Sequence, residues 1–288
     1  MPHPLLLLAP LLAQIGPSVS PGAGGPLPQA PLPERARPAT AAPAAPPTRL
    51  EQCRTMAGTD PLAALDVAEG WGEAAQGPEA VDASECQGFA LTRLQRWDEA
   101  QAAFASARDH TPVNELARRA QLGAMAGNAA LGAGDAEAAN GLFATAYGDA
   151  VTRANPELIA DVATDWSRAL VALGRADQAA GLLAAARASG SQNPLCWLLS
   201  ATLSRRQDQL AEAQTQIERA AQLAPRDAEI GLEAGVIAVL SGRDAAARRS
   251  WQSVLLVAPG SPAAATAQGY LDQLGPETPA SPATTPAP

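Results

Sequence analysis

The chain has 288 residues with a net charge of −9, and it contains 69 alanines, 20 arginines and no lysine; aromatic residues make up only 3%. Without lysine there is no P-loop phosphate lysine, Schiff-base lysine or lysine general base. Two histidines and three cysteines with no paired-cysteine motif argue against a zinc site, and no residue set calls for a cofactor. The prolines then divide the chain: thirteen of 26 fall in residues 1–48 and five in 276–288, leaving eight in the body between. The charge is concentrated in that body, so nucleic acid and anionic membrane are disfavoured as main partners.

In chain order, residues 5–15 (Leu-Leu-Leu-Leu-Ala-Pro-Leu-Leu-Ala-Gln-Ile) form an apolar run that ends at Gly16, Pro17 and Ser18. Its length suits the apolar core of a signal peptide and falls short of the ~20 residues a transmembrane helix needs. The expectation is a signal peptide over 1–20, placing the protein in the periplasm or outside the cell. The alternative, a cytoplasmic protein with an unprocessed tail, draws on the lack of lysine or arginine before the run. Residues 21–48 read as a disordered Pro/Ala-rich linker, and 276–288 as a disordered tail.

The body is predicted to be all-α, since alternating valine, isoleucine and threonine runs are missing. Helix starts are marked by Asp60-Pro61, Thr111-Pro112, Asn155-Pro156, Asn193-Pro194 and Ser261-Pro262, each a capping side chain before proline. Thr48 and Glu51 have capping-box spacing. A recurring pattern follows: a small residue, a bulky apolar one four later and, in most units, a second small one three further on. It runs Ala100/Phe104/Ala107, Ala139/Phe143/Ala146, Ala179/Leu183/Ala186, Ala213/Ile217/Ala220 and Ala247/Trp251/Val254. The leading alanines are 39, 40, 34 and 34 residues apart, and a small residue stands twelve before each: Gly88, Gly127, Ser167, Ala201 and Gly235. Prolines close three units, at Pro112, Pro225 and Pro259.

These residues and spacings resemble the tetratricopeptide repeat (TPR), a 34-residue pair of antiparallel helices. The resemblance covers about residues 50–275. It implies a right-handed superhelical solenoid over 49–275: about five repeats, a degenerate first pair and a terminal capping helix at 262–274. The long spacings imply extended first helices or linkers around 111–121 and 148–158.

Cys53 and Cys86 would then lie on neighbouring first helices and, in an oxidising compartment, could form a disulfide. Cys196 reads as a buried small residue, and His110 as a cation at a helix end. Asp161 with Asp165, and the arginine pairs 118–119, 205–206 and 248–249, read as solvated helix faces, with the gripping of carboxylates as the alternative for the arginines.

By the same resemblance the concave groove would present Glu85, Phe89, Asn128, Arg168, Leu195, Leu198, Arg205, Leu232 and Val236. It would be acidic toward the N-terminus and apolar with arginine toward the C-terminus. A carboxylate clamp built on Asn128 is incomplete, because Ala124 stands where its cationic partner would be. The expected function is a non-catalytic scaffold that binds another protein or peptide in that groove, in the bacterial cell envelope, with no stable membrane insertion. A receptor for a glycan or lipid in the same groove is the alternative, and an enzyme with an unrecognised acidic site is a more remote one.

Overall fold

The structure is a computed structural model that describes residues 46–275. The apolar run at 5–15, the linker up to residue 45 and the 276–288 tail lie outside the described residues. The described chain forms thirteen helices and no strand: α1 (Arg49–Thr59), α2 (Pro61–Gly72), α3 (Pro78–Arg93), α4 (Trp97–His110), α5 (Leu116–Ala133), α6 (Ala136–Arg153), α7 (Pro156–Ala172), α8 (Ala176–Ala188), α9 (Pro194–Arg206), α10 (Leu210–Leu223), α11 (Ala228–Leu240), α12 (Asp244–Val257) and α13 (Pro262–Leu274). None of them is long and apolar enough to cross a membrane.

Local chemistry sets most of these starts. Thr48 and Glu51 close a reciprocal capping box at α1. The Glu51 carboxyl is held below its usual range by the backbone N–H of Thr48 and then by its hydroxyl. Asp60, Asn155, Asn193 and Ser261 each cap a helix whose first residue is proline. Thr111 does not. Its hydroxyl donates back to the Ala107 carbonyl at 2.8 Å, so it ends α4, and α5 begins only at Leu116. A threonine before proline suits either end of a helix, and here its hydroxyl adds a second hydrogen bond to a carbonyl of the preceding helix that already accepts from the Thr111 N–H.

The predicted small–large–small triads are the core. Ala100, Phe104, Ala107 and their counterparts through Val254 are all buried. The small residues twelve positions earlier lie beneath the bulky ones: an added Cβ on Gly88 would meet Phe104 at 2.6 Å, and one on Gly127 would meet Phe143 at 2.8 Å. Where the bulky member is aliphatic, as with Leu183 and Ile217, the partner position holds Ser167 or Ala201 instead. This is close packing matched in volume from unit to unit.

The 39- and 40-residue spacings are taken up by length. Residues 111–115 form a connecting turn, and α5, α6 and α7 have 18, 18 and 17 residues. The extra turn of α6, a second helix, was not foreseen. It brings Asp149 within 2.8 Å of Arg108 and 3.8 Å of Arg119, closing the end of α6 onto α4 and α5. Gly132 lies within α5 under the Trp97 ring, and Gly134, the C-cap of α5, turns the chain at φ 84°.

Candidate functional site

Each first helix packs on the second helix of its own pair, and first helices also pack on one another: α1 on α3, α5 on α7, α7 on α9, α9 on α11 and α11 on α13. No two second helices do so among the described residues. A layer whose members touch follows the shorter arc, so the first helices form the inner face of the stack. That face is the candidate functional surface.

Polar side chains bridge it from one first helix to the next. Arg118 on α5 reaches Asp82 and Glu85 on α3, the latter at 3.1 Å. Asn128 on α5 donates to Asp165 on α7 at 2.7 Å and accepts from Arg168 at 3.0 Å. Asp161 accepts from Asn193, the cap of α9, at 2.9 Å. Arg205 on α9 meets Glu233 on α11 at 2.6 Å. A charge held between two helices is sheltered from water and retained by its partner. Burial pushes the Asp165 carboxyl above its ordinary range, against the opposing pull of the Asn128 hydrogen bond and Arg168.

Three expectations are corrected by these contacts. Arg118, Arg119 and Arg205 are not free on a solvated face: Arg119 donates to the carbonyls of Arg108 and Thr111, and the other two hold carboxylates. Arg248 likewise donates to the Gly275 carbonyl. Asp165 is not part of an exposed acidic face but lies half-buried between α5 and α7. The N-terminal end of the inner face is not simply acidic either. Glu85 is 7% exposed and paired with Arg118, and Arg54 of α1 stands beside it along a concavity of about 660 Å³ between α1, α3 and α5.

The sequence-predicted groove residues therefore fall into three groups. Glu85, Asn128 and Arg205 are committed to partners within the chain. Phe89 packs edge-on against Phe104, with ring centroids 5.4 Å apart, and is covered by the Arg54 guanidinium at 4.4 Å. Arg168 is exposed, and Leu195, Leu198, Leu232 and Val236 are half-buried. Of these, Leu198 rests on the Ala201/Ile217 core, and Leu232 and Val236 on the Trp251 core. Sequence reasoning missed Asp82, Arg118 and Glu233 as members of this surface. Their only signal was charge on a first helix, and which charge meets which depends on the lateral offset between repeats.

Cys53 on α1 and Cys86 on α3 have their sulfurs within bonding distance, with Cα atoms 5.9 Å apart. Cys196 is buried, and burial pushes its thiol above the ordinary value, which disfavours the reactive thiolate. The His110 ring bonds the Ser106 carbonyl at 2.8 Å within its own helix end.

No protein-family model matches the sequence, and no curated protein matches it. Solved structures do match. The chain is similar over 78% of its length to yeast Tom70, at 15% identity and a TM-score of 0.62, and spans 47% of that chain. It is similar to PilW, described as a widely conserved type IV pilus biogenesis factor, at 18% identity and a TM-score of 0.59; the match covers 76% of this chain and 98% of that one. Pseudomonas aeruginosa PilF matches at 15% identity and a TM-score of 0.54, over 78% of this chain and all of that one. At such identities the likeness is one of fold, and the fold is the TPR-like α-solenoid.

Proposed function

We propose that this chain is a non-catalytic TPR scaffold that binds a segment of another protein along the inner face of its first helices. The observation that carries the reading is the make-up of that face. Internal bridges occupy most of its charges, while Leu195, Leu198, Leu232 and Val236 keep part of their apolar surface open to solvent. An extended peptide or a helix gains from burying such side chains against a preformed surface. A cell-envelope setting is part of the proposal. Its support is the signal-like run at 5–15, the Cys53/Cys86 pair and the described role of PilW in type IV pilus biogenesis.

The test is affinity capture with the wild type beside a Leu198→Glu/Leu232→Glu variant whose melting curve is checked first. The expected result is one or a few proteins held by the wild type and lost by the variant. Recovery of the same proteins with both forms would sink the groove reading.

A further inference from the structure

Between α3 and α11, one junction of the inner face is bridged only at a helix cap. The α3/α5, α5/α7 and α9/α11 junctions are each crossed by a charged or amide pair, made from the first turn of α5, the later half of α5 and the last turn of α9 respectively. At the α7/α9 junction the only bridge, Asp161 to Asn193, sits at the N-terminal end of α9. Beyond it, among the described residues, no charged or amide side chain crosses; Val171 and Leu199 line an open notch of about 180 Å³. Its floor is apolar, made of Leu183 and Leu203, 1% and 7% exposed. An apolar space of about 150 Å³ is enough to hold a benzene-sized group.

Two guanidinium groups flank this notch. Arg206 is exposed and has no ion-pair partner among the described residues. The ion-pair partner of Arg168 is Asp165, at 3.8 Å, and that carboxylate already accepts from Asn128. Arg168 thus shares its carboxylate with an amide donor, and Arg206 has no carboxylate of its own among the described residues. The spot is locally positive in a chain of net charge −9. Guanidinium groups bind carboxylates through paired N–H donors, and in a chain of negative net charge their attraction for an acidic ligand is local.

We propose that the α7/α9 notch seats one aliphatic or aromatic side chain of an acidic polypeptide segment, whose carboxylates on either side pair with Arg168 and Arg206. The proposal rests on the groove reading above and names the chemistry of the partner that the groove would choose. The apolar floor takes the side chain, and the two arginines set its register. A lipid acyl chain is a poorer match, because a volume of about 180 Å³ suits one side chain.

The experiment selects binders from a random twelve-residue peptide display library on the full chain, then measures synthetic peptides by fluorescence anisotropy. Selected peptides are expected to carry one large apolar residue with Asp or Glu within a few positions. Their binding should weaken about tenfold in Arg206→Glu and in Leu199→Glu, less in Arg206→Lys, and fall as salt is raised. Arg206→Gln serves if the charge reversal perturbs folding. If peptides bind and are lost with Leu198→Glu/Leu232→Glu but are indifferent to Arg206 and Leu199, the notch is wrong and the groove stands. If no selected peptide responds to either set, the groove reading fails and the notch with it. Selected peptides without acidic residues would also overturn the proposal.

Discussion

Gly88, Gly127 and Gly235 are glycines because of what lies opposite them: the rings of Phe104, Phe143 and Trp251 occupy the space that a Cβ would take. At Gly235 the overlap is severe, and the indole is also held in place, donating to the Leu232 carbonyl at 3.1 Å. Gly235→Ala is therefore expected to cost ~1–3 kcal/mol, as overpacking does, and to lower the melting temperature by several degrees. Thermal unfolding by circular dichroism checks this, and an unchanged curve would refute the packing argument. This level of the structure was legible in the sequence. A small residue twelve before the leading alanine and a large one four after it are offsets that two packed helices impose. The partners of Glu85, Asp165 and Arg205 were not legible in the same way. Their contacts lie 28 to 37 residues away, on a different repeat.

The turns between paired helices are more uniform than their sequences. Five residues before each leading alanine, the backbone is left-handed: Gln95, Gly134, Gly174, Asp208 and Gly242 have φ of 57°, 84°, 73°, 61° and 70°. The following N–H in each case donates to the carbonyl five residues back, as Arg96 does to Leu91 and Arg243 to Ala238. Glycine adopts this conformation without strain, whereas a glutamine there costs ~1–2 kcal/mol. Gln95→Gly is accordingly expected to stabilise the protein by up to about 1 kcal/mol, after the entropy that glycine gains in the unfolded chain is subtracted. Urea denaturation measures it, and a loss of stability would show that the Gln95 side chain contributes contacts of its own. Three of the five turns announce themselves by glycine. The register of the other two had to come from the triads. Thr111-Pro112 shows the limit of a dipeptide signal, since its hydroxyl satisfies the helix behind it rather than the one ahead.

On the scale of the whole array, stability is a sum of units and of the interfaces between neighbours, so a local change is felt locally. The α1–α2 pair makes the extreme case. It touches the rest of the stack mainly through α3, where Cys53 meets Cys86 across a separation of 33 residues. We infer that this pair is oxidised in the mature protein. Thiol alkylation followed by mass analysis without reduction should then label Cys196 alone after unfolding. Cys53→Ser is expected to weaken α1 and α2 by on the order of 4 kcal/mol on the chain-entropy estimate. In hydrogen exchange, protection should fall there while α9–α12 keep theirs. Equal loss along the entire stack would contradict the nearest-neighbour picture, and labelling of all three thiols would remove the disulfide.

The same contrast of scale separates what the sequence settled unaided from what needed the tertiary structure. Helix pairing, the buried triads and four proline-marked starts were set by the sequence, because each depends on residues within one turn or one pair, at separations that helix geometry makes constant. The inner face, its bridges and the open notch between α7 and α9 were decided only when repeats were laid side by side. Three lengthened helices and the 111–115 turn alter the lateral offset from unit to unit. Whether Arg118 is solvated or holds Glu85, and whether Arg206 finds a partner, follows from that offset and from nothing in the residues immediately around them.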